Sequence, residues 1–200
     1  MKHELPFYTI GTSYGGNQDW LHDLMMRMGG CAAVTVCDSS IYFSRYRGWH
    51  ELYPYNADHV EKSDFISFTK ILKPYLRPRM SGINTLELYM EGAGKYFEDV
   101  GNTTLKMVPF SGHEPAEAAK KAVKKQIDAK YPIPCLVLYH KNPKMKEYVW
   151  HWFLLMGYEE TPDAFRVKTV TYGEAQWLSL EELWDTGHKE RGGLILFSDK

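Results

Sequence analysis

Residues 29–43 read GGCAAVTVCDSSIYF, and this stretch decides the fold. Two glycines let the chain turn freely, and the thirteen residues after them hold no glycine, no proline and one charge, Asp38. A segment that is apolar or small on nearly every side is a helix buried all round. Ala32 and Ala33 are small enough to let its neighbours pack closely. The spacing therefore predicts a buried helix over 31–43, headed by Cys31.

Working outward, residues 1–10 read as a short strand or extended arm, and 11–30 as a glycine-rich polar loop ending at Gly29-Gly30. Downstream, 63–76 is an amphipathic helix with Phe65, Phe68, Ile71, Leu72 and Tyr75 on one face and Ser63 as its cap. Residues 84–98 form a helix weakened by two glycines, and 105–110 a short strand. Residues 115–129 (PAEAAKKAVKKQIDA) form the clearest helix, with Pro115 in its first turn and basic residues later. Then the period changes. The apolar runs 133–140 and 148–158 read as buried strands and the alternating 165–172 as a third. Ser179 caps a helical turn over 179–184, and 192–197 is a last strand. Helices come first and strands later, an order that predicts a single α+β domain over 1–200 rather than a doubly wound sheet.

The charge balance narrows the function. With 24 Lys and Arg against 25 Asp and Glu the net charge is −1, which excludes a general nucleic-acid binder or a polybasic membrane-surface protein. No apolar run approaches the roughly 20 residues of a membrane span. The opening MKHELPFYTI carries charge and a proline where a secretory leader is apolar, so the expected location is the cytoplasm. Cysteines stand at 31, 37 and 135 and cannot all pair. Cys31 and Cys37 fall on different faces of one helix and make no metal pair. The phosphate-loop hint at EGAGKYF (91–97) has Tyr96 where Ser or Thr belongs, and KKAVKK (120–125) reads as a solvated helix face. Asn102-Thr-Thr is a glycosylation sequon, without meaning in the cytoplasm. No cofactor motif is present.

Three residue types could carry chemistry. Cys31, after two glycines at a helix start, has the position in which exposed N–H groups favour a thiolate; taken alone it reads first as a small buried apolar residue. His151 is the polar member of the apolar run WHWFLLMGY and needs a partner or a task, with a hydrogen-bonded core histidine as the ordinary alternative. His140 is the second candidate base, and His113 belongs with the start of the 115–129 helix. Asn17 and Gln18, in YGGNQDW (14–20), carry amides able to donate to an oxyanion, or simply form a polar turn. Trp20, Trp152 and Trp177 flank these segments as candidate cleft walls.

Together, the Asn/Gln loop, GGCAA, PIPCLVL and HWFLLMGY resemble the papain-like cysteine peptidase fold, and most of all the peptidase C39-like group. The likeness covers 14–42 and 131–184. It implies a papain-like core in which a helical part packs on an antiparallel sheet. Cys31 would be the nucleophile, His151 the general base and acid, and Gln18 the oxyanion donor with Asn17 as fallback. The Cys31 backbone N–H would be a second donor. The sequence departs from the pattern twice. Gln18 lies 13 residues before Cys31, about twice the family's gap, so that LHDLMMRMGG must loop out. The third member, normally Asp or Asn, falls at Thr169 or Thr171, with Asp163 and Glu174 as substitutes. The implied function is hydrolysis of a peptide or amide bond without cofactor; an acyltransferase or a non-catalytic papain-like binding module uses the same parts.

Overall fold

The computed structural model describes residues 1–199 and is a mixture of helix and antiparallel sheet. The strands are β1 (Lys2–Glu4), β2 (Thr9–Ile10), β3 (Ser13–Tyr14), β4 (Lys106–Ser111), β5 (Ile133–Val137), β6 (His151–Glu160), β7 (Phe165–Thr171), β8 (Glu174–Ser179) and β9 (Gly193–Ser198). The helices are α1 (Leu24–Gly29), α2 (Cys31–Arg47), α3 (Lys62–Leu72), α4 (Leu86–Asp99), α5 (Ala116–Asp128) and α6 (Leu180–Trp184). One sheet runs β4-β9-β5-β6-β7-β8, with β1 added along β6, and β2 and β3 form a small hairpin. Every pairing is antiparallel. Among the described residues no helix is long and apolar enough to cross a membrane.

The quoted stretch is the helix it promised, and longer: α2 buries residues on all sides and continues to Arg47. It stops at Gly48, whose φ of 72° is the left-handed cap conformation that glycine adopts without steric cost. Arg45 and Arg47 stand in its last turn, where the helix dipole favours cations. α2 packs on β6, the long central strand. β5 is buried throughout because helices and neighbouring strands cover it, which is why it reads as a continuous apolar run.

Some boundaries and details move. The polar loop over 11–30 contains the β3 strand, a 3-10 turn at Gln18–Trp20 and the short helix α1. Asp23 caps α1 by accepting from the Met26 N–H at 3.1 Å. Ser63 lies inside α3, whose cap is Glu61. The 148–158 run is split: residues 143–148 form a 3-10 turn and the strand starts at His151. β8 is exposed along its first half and has no apolar alternation, so the sequence did not announce it. Asn102 of the sequon is buried, donates to Glu51 and accepts from the Leu105 N–H at 2.9 Å, so its role is to hold a turn.

Candidate active site

The N-terminal end of α2 opens into a cavity of about 690 Å³. Cys31, His151 and Gln18 all line it, although they come from a helix start, a strand start and a 3-10 turn. The contact of α2 with β6 brings the first two together. Backbone N–H groups near the sulfur, foremost that of Trp152 beside His151 and then those of Ala32 and Cys31 itself, act to lower the thiol's pKa. Three donors around a sulfur favour the thiolate, yet burial outweighs them and pushes the thiol above its ordinary range. The lowered thiol expected from the helix start is thus corrected: desolvation wins over the N–H groups. Cys37 and Cys135 are buried, and all three cysteines are free.

His151 is 5% exposed, and its Nε2 lies 2.6 Å from the Thr171 hydroxyl. Its ring stacks on that of Tyr172, 4.8 Å between centroids and 2° from parallel. Burial pulls its pKa down to about 4, so the imidazole is neutral at pH 7. The neighbours of this pair are conformationally unusual. Trp150, before His151, and Tyr172, after Thr171, both have φ of 51°, a left-handed conformation costly for bulky side chains. Such strain gathers at functional sites, where the surrounding structure holds it in place.

Of the other residues offered as the third member, Thr169 bonds to the Tyr148 hydroxyl at 2.9 Å and to the Gln176 carbonyl at 3.3 Å. Asp163 lies past the far end of β6 from His151. Glu174 opens β8 opposite Thr171 and is exposed. Thr171 is the residue the fold puts on the imidazole. His140 is in the loop after β5, with Nε2 donating to the Glu182 carbonyl at 2.9 Å and Nδ1 accepting from Asn142 N–H at 3.0 Å. Both ring nitrogens are committed outside the cavity.

Gln18 is buried at the cavity wall. Its Nε2 donates to the carbonyls of Arg27 at 2.9 Å and Met26 at 3.3 Å. Two acceptors on one side fix the amide's orientation and leave Oε1 buried without a partner. The segment that had to loop out between Gln18 and Cys31 is α1, and Gln18 is what clasps it. Asn17 clasps a different loop: Nδ2 donates to the Tyr172 carbonyl at 2.9 Å while Oδ1 accepts from Asp19 N–H at 2.9 Å. It faces a neighbouring recess shared with Thr171.

The sequence reading missed two groups. Trp150 and Tyr172 wall the cavity, whereas Trp20, Trp152 and Trp177 do not line it. Trp20 packs edge-on against Phe65, and Trp152 stacks on Tyr89 and donates to the Ile83 carbonyl at 2.6 Å. Trp177 lies under the Lys2 ammonium. Asp38, the single charge of the quoted stretch, sits two turns beyond Cys31. Its Oδ1 accepts from the Tyr8 hydroxyl and from Gly16 N–H at 3.0 Å. It ties the segment that carries Gln18 to the helix that carries Cys31. Burial raises its pKa to about 7. A lone acidic residue inside an apolar stretch was the available signal for a buried anchor.

Compared with known proteins, the chain matches no family model and no curated relative.

Proposed function

We propose that the chain is a cysteine hydrolase of papain-like architecture, akin to the peptidase C39-like group, that cleaves a peptide or amide bond. One observation carries the reading: a thiol at the head of a buried helix and a neutral imidazole held by a hydroxyl line the same cavity. When His151 Nε2–H donates to Thr171, Nδ1 carries the lone pair and is the base. The Cys31 thiol gives its proton to that nitrogen as the sulfur attacks the carbonyl carbon. N–H groups at the start of α2 face the developing oxyanion. The C–N bond then breaks, and the amine leaves with the proton held by the imidazolium. Water attacks the thioester, its proton passes to His151, and the C–S bond breaks to restore the thiol. With an amine or thiol in place of water, the same steps transfer the acyl group. A cytoplasmic setting, which keeps thiols reduced, suits a chain with three free cysteines.

A second reading, a non-catalytic peptide-binding module, is favoured by the Gln18 amide. Its Nε2 is spent on Arg27 and Met26, so it cannot serve as an oxyanion donor unless α1 lets go. Burial of Cys31 also keeps the thiol protonated.

Reaction with a peptide vinyl sulfone, read by mass spectrometry, separates the two. The hydrolase labels at Cys31, at a rate that falls about tenfold or more in His151→Ala, and turns over amide substrates that Cys31→Ser does not. Labelling indifferent to His151, with no turnover across an amide library, selects the module.

A further inference from the structure

The cavity also bears on what enters it, and this inference rests on the hydrolase reading. Its rim is built of methionine. Met25 and Met28 on α1 and Met80 in the loop after α3 line it. Met25 and Met28 are 49% and 76% exposed, and Met80 is fully so. Three of the chain's nine methionines thus stand in water around one opening. Unbranched thioether side chains adapt their shape to varied apolar occupants, and clustered exposed apolar groups mark a surface that something covers. Deeper lining from Ile83 and Leu136 continues the apolar character.

The charge pattern is one-sided. Among the described residues no Asp, Glu or Lys lines the cavity, and the one guanidinium there, Arg79, makes no side-chain hydrogen bond or ion pair. An unpaired guanidinium on an apolar rim is a ready partner for a carboxylate or phosphate oxygen. An extended peptide would bring backbone N–H and C=O groups needing partners. An acyl chain brings none.

We propose that the cleft takes an anionic amphiphile: a substrate whose acyl side is a flexible apolar chain held by Met25, Met28 and Met80, with an anionic group at Arg79. Each buried methylene is worth about fourfold in affinity when fully desolvated, so chain length is the sensitive variable.

Calorimetric titration of the intact chain with octanoate, butyrate and octylamine tests this without any turnover. Octanoate is expected to bind at least about 20-fold more tightly than butyrate, and more tightly than octylamine. Combined Met25→Ser, Met28→Ser and Met80→Ser substitutions, at exposed positions, should weaken octanoate about tenfold; a scan of Tm confirms that the variant is folded. Arg79→Gln should remove the preference over octylamine. Octanoate and butyrate within threefold of each other, no preference over octylamine, or indifference to the methionine variant overturns the proposal. The expected binding pattern in a chain that hydrolyses nothing refutes the hydrolase reading alone. A hydrolase that cleaves acetyl and octanoyl anilides equally well, and shows no chain-length preference in binding, refutes the amphiphile alone.

Discussion

Two polar clusters sit on α2, two turns apart, and differ in what their hydrogen bonds do. At Asp38, donors from Tyr8 and Gly16 converge on one carboxylate oxygen in a sealed interior. At the Cys31 end, side chains line a cavity and retain spare capacity: the Cys31 thiol is free, and His151 uses one ring nitrogen on Thr171. The first arrangement joins segments of the fold. The second leaves atoms available to a visitor. Burial shifts the ionisation of both, which alone would not tell them apart; access does.

The sharpest way to break this comparison is Asp38→Ala. It strands the Tyr8 hydroxyl and the Gly16 N–H in the core, and should cost about 3 kcal/mol in urea unfolding. Cys31→Ser should change the same measurement by less than about 1 kcal/mol. Equal losses would mean that the Cys31 end is structural too.

Asp38→Asn keeps an acceptor and removes the titration, so it is read against pH. The folded carboxyl titrates near pH 7, above its ordinary 3.8, so the folded state holds the extra proton between these values. Stability from this group is full below pH 4 and is lost as pH rises through 7. Relative to Asp38→Asn, the parent should therefore lose about 2 kcal/mol between pH 5 and pH 8. His151 works the other way. Its folded value of about 4 lies below the ordinary 6.5, so its contribution is present above pH 6.5 and fades as pH falls toward 4. With Asp38 silenced, stability should climb with pH from 4 to 6.5, and adding His151→Gln should flatten that rise.

A smaller effect is expected at Thr171. Thr171→Val keeps the shape and removes the hydroxyl that orients His151. The rate of Cys31 labelling by the vinyl sulfone should fall about tenfold, while unfolding free energy moves by less than about 1 kcal/mol. An unchanged rate would show that ring stacking on Tyr172 alone positions the imidazole.

Much of the architecture was legible because it depends on local pattern. The run of small and apolar residues after Gly29-Gly30 marked α2, the 3.6-residue spacing marked α3 and α5, and the unbroken apolar run marked β5. Cys31 stood out by its position after two glycines at a helix start, and His151 as the polar member of an apolar run. Other features carried no such mark. β8 forms by pairing with β7 rather than by apolar alternation. Thr169 and Thr171 share a face of β7, and choosing between them depends on the register with β6: Thr169 pairs with Leu155 and Val170 with Leu154, which leaves Thr171 nearer the His151 end. Gln18 looked like a free amide, and only the position of α1 shows that its N–H groups are engaged. The methionines of 25–28 and Met80 are separated by more than fifty residues, and nothing local connects them.

The sequence by itself determined most of the helices and strands, their mixed α+β order and the presence of two distinctive side chains, Cys31 and His151, because helix and strand periodicity and residue chemistry act over a few neighbouring positions. Tertiary structure alone decided what those side chains face. Packing of α2 on β6 set the burial that raises the thiol and lowers the imidazole, β7 brought the hydroxyl behind His151, and the position of α1 and of the loop after α3 set the commitment of Gln18 and the methionine rim. These depend on solvent exclusion and on contacts between segments far apart in the chain, and desolvation is a property of the assembled fold rather than of any one segment.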